Sequence, residues 1–224
     1  MDFGKAFSFP FEDKDWFKKI IIGGLLMLIP VIGGLWIAGW GLEVTKRVIR
    51  RDAEPLAGWN DFGGYLVRGF QVAIIGFVYA LPIILLQLCV TGILFGIGDS
   101  ASTDEITYAI SILSFCFYCL VIIYAVLLAF VIPAALGNFA AKEQFGAAFR
   151  FGEVFGLVRA APSAYLLVLI GNLLVGIIAG MGVLLCVVGL LLTIPYANAV
   201  MGHLNGQAYN AATGAQALAP VESV

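Results

Sequence analysis

The chain is 224 residues long, 62% hydrophobic and 12% charged, with a formal net charge of -2. Soluble domains run near half apolar and about a quarter charged, and domains of roughly 150 residues bury only about 70% of what the unfolded chain exposes. The apolar excess must therefore face lipid, and the basic residues form no long tract of the kind that grips nucleic acid.

The start, Met1-Asp2-Phe3-Gly4, is acidic before its first lysine, and the first apolar run ends without a small-residue cleavage site, so no removable signal peptide is expected. Four apolar runs follow: Ile20 to Leu42, Gly69 to Ile97, Ile106 to Phe139, and Tyr165 to His203. A helix needs roughly 20 residues to cross a hydrocarbon core of about 30 Å. The last run is long enough for two crossings, with Gly180-Met181-Gly182 as the turn. A similar break, Pro30-Val31-Ile32-Gly33-Gly34, interrupts the first run.

The positive-inside rule decides how many turns there are. Lys5, Lys14, Lys18 and Lys19 precede the first run; Lys46, Arg47, Arg50, Arg51 and Arg68 lie between the first and second; Lys142, Arg150 and Arg159 lie between the third and fourth. The connector from Gly98 to Glu105 is acidic and has no basic residue. A single crossing by the first run would put the first two basic groups on opposite faces, whereas a hairpin at Pro30 returns both to the cytoplasm. The expected fold is all-α, a polytopic transmembrane helical bundle of six helices, at about 16–29, 33–52, 66–97, 105–141, 161–180 and 183–208. Both termini are expected on the cytoplasmic side of a cell (inner) membrane. The arms of the first pair hold about 10 to 14 apolar residues, roughly 15 to 21 Å of helix, so this pair either crosses fully or is re-entrant. Residues 1–208 are expected to form a single transmembrane domain and 209–224 a polar, low-complexity tail.

Two stretches that mix aromatics, glycines and charges, Trp59 to Tyr65 and Phe145 to Arg159, are expected as short interfacial amphipathic helices. Trp16, Trp36, Trp40 and Trp59 fall near the same end of the traverses, where indole rings favour the interface. Phe3-Gly4-Lys5-Ala6-Phe7-Ser8-Phe9 resembles Phe145-Gly146-Ala147-Ala148-Phe149-Arg150-Phe151, and each precedes an expected hairpin. Duplication and a coincidence of Phe- and Gly-rich composition are equally good explanations.

Ionisable groups deep in a membrane are costly and mark function, and the deep positions here have none. Glu43 can pair with Lys46 or Arg47 one turn on, as a solvated helix end. The intramembrane polar candidates are Gln71, Gln87, Asn172 and Asn198, with Thr91 and Thr193 beside them. Amides in such positions usually bond across helices, and otherwise line a polar pathway. Pro30, Pro82 and Pro195 are the expected helix breaks. His203, the only histidine, has no second ligand for a metal and suits a helix C-terminus. Cys116-Phe117-Tyr118-Cys119 has redox spacing without the strand-then-helix context that such chemistry uses. Cys89, Cys116, Cys119 and Cys186 all lie in apolar runs and behave as small hydrophobes. Gly92/Gly96, Gly152/Gly156, Gly176/Gly180 and Gly202/Gly206 are small-xxx-small pairs that permit close helix contact.

Ile29-Pro30-Val31-Ile32-Gly33 with its Gly-rich turn into a basic helix end, Pro55 through Trp59-Asn60-Asp61-Phe62 to Gly69, Tyr79-Ala80-Leu81-Pro82, and His203 to Tyr209 together resemble a family. It is one of prokaryotic multi-pass membrane proteins catalogued as a domain of unknown function, and the likeness covers nearly the whole chain to Tyr209. The resemblance implies the membrane fold and assigns no chemistry. No catalytic residue, cofactor or metal ligand is expected, so the protein is expected not to be an enzyme. The expected partners are the lipid bilayer and other membrane subunits or a second copy of the chain. The expected role is an accessory or scaffolding subunit of a membrane complex, with a transporter or channel for a neutral or lipid-like solute as the alternative.

Overall fold

The computed structural model describes residues 1–98, 104–184 and 186–214. Every described element is helical: α1 (Phe3–Glu12), α2 (Trp16–Met27), α3 (Ile32–Arg50), α4 (Phe62–Gly98), α5 (Asp104–Lys142), a 3-10 turn (Phe145–Phe149), α6 (Phe151–Ala160), α7 (Pro162–Leu184) and α8 (Cys186–Ala212). The chain divides into two compact units, one of residues 1–75 with the chain from Phe130 onward, the other Gly76–Ala129.

In the first unit, α2 and α3 form the expected hairpin. Its turn closes with the Ile32 N–H donating to the Pro30 carbonyl at 2.7 Å, and Val31 there takes a φ of 65°. The helix α8 runs beside α3 in the same direction, since Gly202 packs on Gly41 and Gly206 on Thr45 and Val48. It runs against α7, with Leu204 on Gly171 and Thr193 on Gly182. Close approach depends on missing side chains at a few points. A β-carbon on Gly39 would collide with the Tyr65 carbonyl of α4, and one on Gly69 with the Leu35 carbonyl. Without a hydrophobic drive between helices in lipid, such backbone contact is what holds helices together.

The core of this unit is aromatic. Trp40 is fully buried, stacks on Trp59 at 5.3 Å, and donates its indole N–H to the Ala57 carbonyl at 2.9 Å. Trp59 donates to the Lys19 carbonyl at 2.8 Å, and Tyr65 donates to the Gly58 carbonyl at 2.7 Å. Truncating a buried tryptophan of this kind costs about 3–5 kcal/mol.

In the second unit, the Tyr124 hydroxyl donates to the Tyr79 carbonyl at 2.6 Å. Phe77, Phe95, Phe115, Tyr118, Leu120 and Ile123 are exposed. Among the described residues, three segments are long and apolar enough to cross a membrane: Phe62–Ile93, Ile110–Lys142 and Pro162–Leu184.

Several expectations are corrected. The helix α7 continues through Gly180 and Gly182 to Leu184, so the turn is not at Gly180-Met181-Gly182. Glycine costs a helix only about 1 kcal/mol, and a chain without water to bond cannot lightly open its backbone. Trp59 to Asp61 is loop, and Phe62 to Tyr65 belong to the start of α4. Trp40 and Trp59 are core residues rather than interface anchors, because the 52–61 loop folds over the hairpin, where the Trp40 N–H meets the loop carbonyl of Ala57 and the Trp59 N–H meets the Lys19 carbonyl of α2. Pro82 and Pro195 lie inside continuous helices. Of the four small-xxx-small pairs, only Gly202/Gly206 makes close contact; the other three open onto free space. The two Phe-rich stretches differ, one being the α-helix α1 and the other a 3-10 turn. Residues 99–103 of the acidic connector and 215–224 of the expected tail lie outside the described residues.

Gly39→Ala is expected to lower the unfolding free energy by about 1–3 kcal/mol through overpacking. Gly176→Ala, which opens onto free space, is expected to be neutral or to gain up to about 1 kcal/mol. Thermal or denaturant unfolding in detergent compares the two.

Candidate functional site

Charged side chains gather at one end of the first unit. Glu43 faces Arg47 one turn on at 3.6 Å and Arg68 of α4 at 3.7 Å, and Arg68 also donates to Asp61 at 2.7 Å. Glu143, just past α5, takes Lys46 at 3.1 Å and Arg50. Glu153 of α6 takes Lys142 and, at 3.4 Å, Arg150. Lys19 pairs with Asp13 at 2.5 Å and donates to the Leu56 carbonyl at 3.0 Å. The Glu143–Arg50 and Glu153–Lys142 pairs are the more exposed ones, and pairs of that kind are worth about 0–1 kcal/mol each. Their value here is positional, since they tie together the segments that carry the basic groups: Lys19 to the loop at Leu56, and Lys46 and Arg50 to Glu143 past the end of α5. The Gly64 N–H, and then Arg68, hold the Asp61 carboxyl below its ordinary range. The Lys46 hydrogen bond does the same for Glu143. Hydrogen bonds from Lys142 and then Asn138 hold Glu153 down to about 2.

Beside this cluster, α8 carries a row of buried polar groups: His203, Asn205, Gln207 and Asn210. The Gln207 amide pairs with the backbone of Asp2, accepting from its N–H at 2.7 Å and donating to its carbonyl at 2.9 Å. The same amide nitrogen lies 2.9 Å from His203 Nδ1, which serves as the acceptor, and the imidazole stacks on Phe9 at 4.3 Å. These contacts, with the Tyr196 hydroxyl donating to the Phe7 carbonyl at 2.8 Å, hold α1 along α8. Asn210 donates to the Val48 carbonyl at 3.0 Å, satisfying a helix-end carbonyl of α3 where Arg51 takes a left-handed φ of 59°. Asn138 of α5 donates to the Ala147 carbonyl and to Glu153, both at 2.9 Å.

Of the sequence candidates, Gln71 lines a cleft of about 190 Å³ with Leu42, Glu43, Lys46, Arg68 and Glu143. Asn198 lines a second cavity, of about 150 Å³, that also borders Leu42. Gln87 is exposed in the second unit and donates to Thr91 of its own helix at 3.0 Å. Asn172 is half-buried on α7, with its amide oxygen buried and unpartnered. Pro30 stands in the α2–α3 turn, Pro82 in the second unit, and Pro195 against Gly23 of α2. Asn138, Asn205, Gln207 and Asn210 were not among the sequence candidates. Their signal was spacing: 203, 207 and 210 share one helical face, and 198 and 205 another. Among the described residues, no group of three or more His, Cys, Asp or Glu is placed to hold a metal.

Gln207→Leu is expected to lose about 1–3 kcal/mol, since it strands the Asp2 backbone groups. Hydrogen exchange over residues 3–12 should then accelerate more than exchange over α7. A carboxyl whose folded pKa is depressed stabilises above its unfolded value and loses that contribution as pH falls through the folded one. For Glu153 the window runs from the ordinary 4.5 down to about 2. Thermal midpoints between pH 5 and pH 3 should therefore fall less in Glu153→Gln than in the parent.

No curated protein matches the chain, and no solved structure does. The family described as "Protein of unknown function (DUF4013)" matches residues 22–188. That interval holds the Pro30 turn, the Trp59-Asn60-Asp61 loop and Tyr79 to Pro82, and leaves His203 to Tyr209 outside it. The match takes in well over half of the chain, and with it the long apolar helices that suit a multi-pass membrane protein: the chain belongs to the DUF4013 family.

Proposed function

We propose that the protein is an accessory or scaffolding subunit of a membrane complex, acting by packing and not as an enzyme. The observation that carries this role is the surface of the Gly76–Ala129 unit. Ile112, Phe115, Tyr118, Ile122 and Ile123 of α5 are all at least 63% exposed, and their spacing puts them on one broad face of the helix. Only 11% of the most apolar window in each of Phe62–Ile93 and Ile110–Lys142 is buried. Large contiguous apolar surface in a folded protein marks a lipid or protein contact, and aromatic side chains favour protein partners. Such a partner is another membrane subunit or a second copy of this chain.

The proposed layout places the charged end on the cytoplasmic side of a cell (inner) membrane, with both termini there. Support comes from contacts that join the segments carrying the basic groups, which the positive-inside rule would assign to one face: Lys19 reaches the Leu56 carbonyl, and Lys46 and Arg50 reach Glu143. The α2–α3 hairpin then enters and leaves on the same side. A second role, a carrier for a neutral or lipid-like solute, draws support from the Asn198 cavity.

A photo-crosslinking residue at Phe115 or Ile123, introduced in cells, is expected to yield a discrete adduct with another membrane polypeptide or a second copy. Adducts with lipid alone would remove the packing role. In a background with the native cysteines replaced, Lys14→Cys and Arg50→Cys are expected to react with an impermeant maleimide from the same side. Labelling from opposite sides would overturn the layout.

A further inference from the structure

The cavity beside Leu42 is an open cleft lined by four helices of the first unit: Gly41 and Thr45 of α3, Val72 of α4, Leu136 of α5, and Asn198 and Asn205 of α8. Its walls carry no charged residue, and its polar groups are an unequal set. The Thr45 hydroxyl is spent on the Gly41 carbonyl at 3.1 Å, and the Asn198 amide N–H on the Ile194 carbonyl at 3.1 Å. Asn205 differs from both. It is 6% exposed, its amide oxygen is buried without a partner, and no other described residue hydrogen-bonds its side chain.

An unpartnered buried amide costs about 1–3 kcal/mol. Native structures pair such groups almost without exception. No described residue completes Asn205, and the chemistry of a guest that would complete it can be read from the amide. Oxygen and nitrogen of an asparagine are near-isosteric, and half a turn of the side chain exchanges acceptor for donor. A hydroxyl both donates and accepts, so it satisfies either orientation. A metal cation or an ammonium satisfies only the oxygen, and a carbonyl only the nitrogen. The apolar remainder of the wall, with Leu42, Val72, Leu136 and Met201, suits a short hydrocarbon body. The volume of about 150 Å³ equals that of an engineered protein cavity that takes up benzene, roughly 150 Å³, which sets the guest at about six or seven heavy atoms.

We propose that this cavity is a binding site for the hydroxyl-bearing end of a small neutral amphiphile, with Asn205 as its hydrogen-bonding partner. The site is independent of the packing role proposed above, because it uses α3 and α8 and none of the Gly76–Ala129 surface. A free short-chain alcohol and the hydroxyl of a longer lipid share the chemistry. Competition separates them, since a free alcohol needs only the cavity itself, whereas a longer guest must also leave through its mouth.

The test uses the full chain in phosphatidylcholine nanodiscs, with 5-fluoro-1-pentanol as the probe followed by fluorine NMR. Line broadening in excess of that in empty nanodiscs is expected, and 1-hexanol should relieve it while heptane does not. Asn205→Leu, which removes the amide, and Val72→Phe, which fills the cavity from α4 and keeps the amide, are each expected to weaken binding at least ten-fold. Circular dichroism checks that both retain the parent helicity. Broadening no greater than in empty nanodiscs would mean that water alone occupies the cavity, and would overturn the proposal. So would an excess that both variants leave intact, or relief by heptane as effective as that by 1-hexanol.

Discussion

The first unit depends on the side-by-side run of α3 and α8 at backbone distance. Gly202 lies on Gly41, and Gly206 on Thr45 and Val48, so two helices meet with almost no side-chain layer between them. The other helices of the unit arrange themselves around α8: α1, α2, α6 and α7 all touch it, and Gly137 of α5 packs on Tyr209. Dispersion and backbone contact do the holding where lipid removes the hydrophobic drive. The price of so many helix ends near one place is a surplus of orphan carbonyls and N–H groups. The amides of α8 meet that demand, Asn210 at the end of α3 and Gln207 at the start of α1. Gln207 and Asn210 thus serve as joints, whereas Asn198 bonds only within α8 and the Asn205 amide oxygen is buried without a partner.

Charge does a different job from packing. The ion pairs of Glu143 and Glu153 are substantially exposed, and screening leaves each of them little energy, while the Glu43 pairs are more sheltered. Yet they tie α3 to α4 and to the end of α5, and the end of α5 to α6, and these are the connections that a wrong number of crossings would break. Topology and stability therefore reside in separate residues. Stability lies in the glycine contacts and tryptophans, and topology in groups that could be neutralised with small energetic loss.

Much of the helical layout was legible because hydrocarbon imposes a minimum length and charge marks the ends. The hairpin at Pro30 follows from the Pro-Gly break together with the charge distribution, and α3, expected at 33–52, runs Ile32–Arg50. What escaped was long-range. Nothing local to Trp59 says that the loop carrying it folds back to the Lys19 carbonyl, so an indole near a basic cluster was read as an interface anchor. Gly180 was read as a turn because in water glycine pairs mark turns, whereas α7 simply passes through. The α1 helix was visible in principle, in the Asp2 cap and the spacing of Ala6, Phe9 and Pro10. At the site, Gln71 and Asn198 were identified because they interrupt apolar runs. Asn205 and Gln207 lay among other small polar residues at a helix end, where a single amide does not stand out.

The 52–61 loop has a mechanical consequence. It is gripped from α2 through the Lys19 carbonyl and ammonium, and from α3 through the Trp40 indole and the Arg47 guanidinium on Glu54. Both arms of the first hairpin are thereby buckled to one strap, so the arms cannot spread like scissors about the Pro30 turn. Any displacement of the strap carries the pair as a single wedge, and the narrow end of that wedge is the Val31 tip.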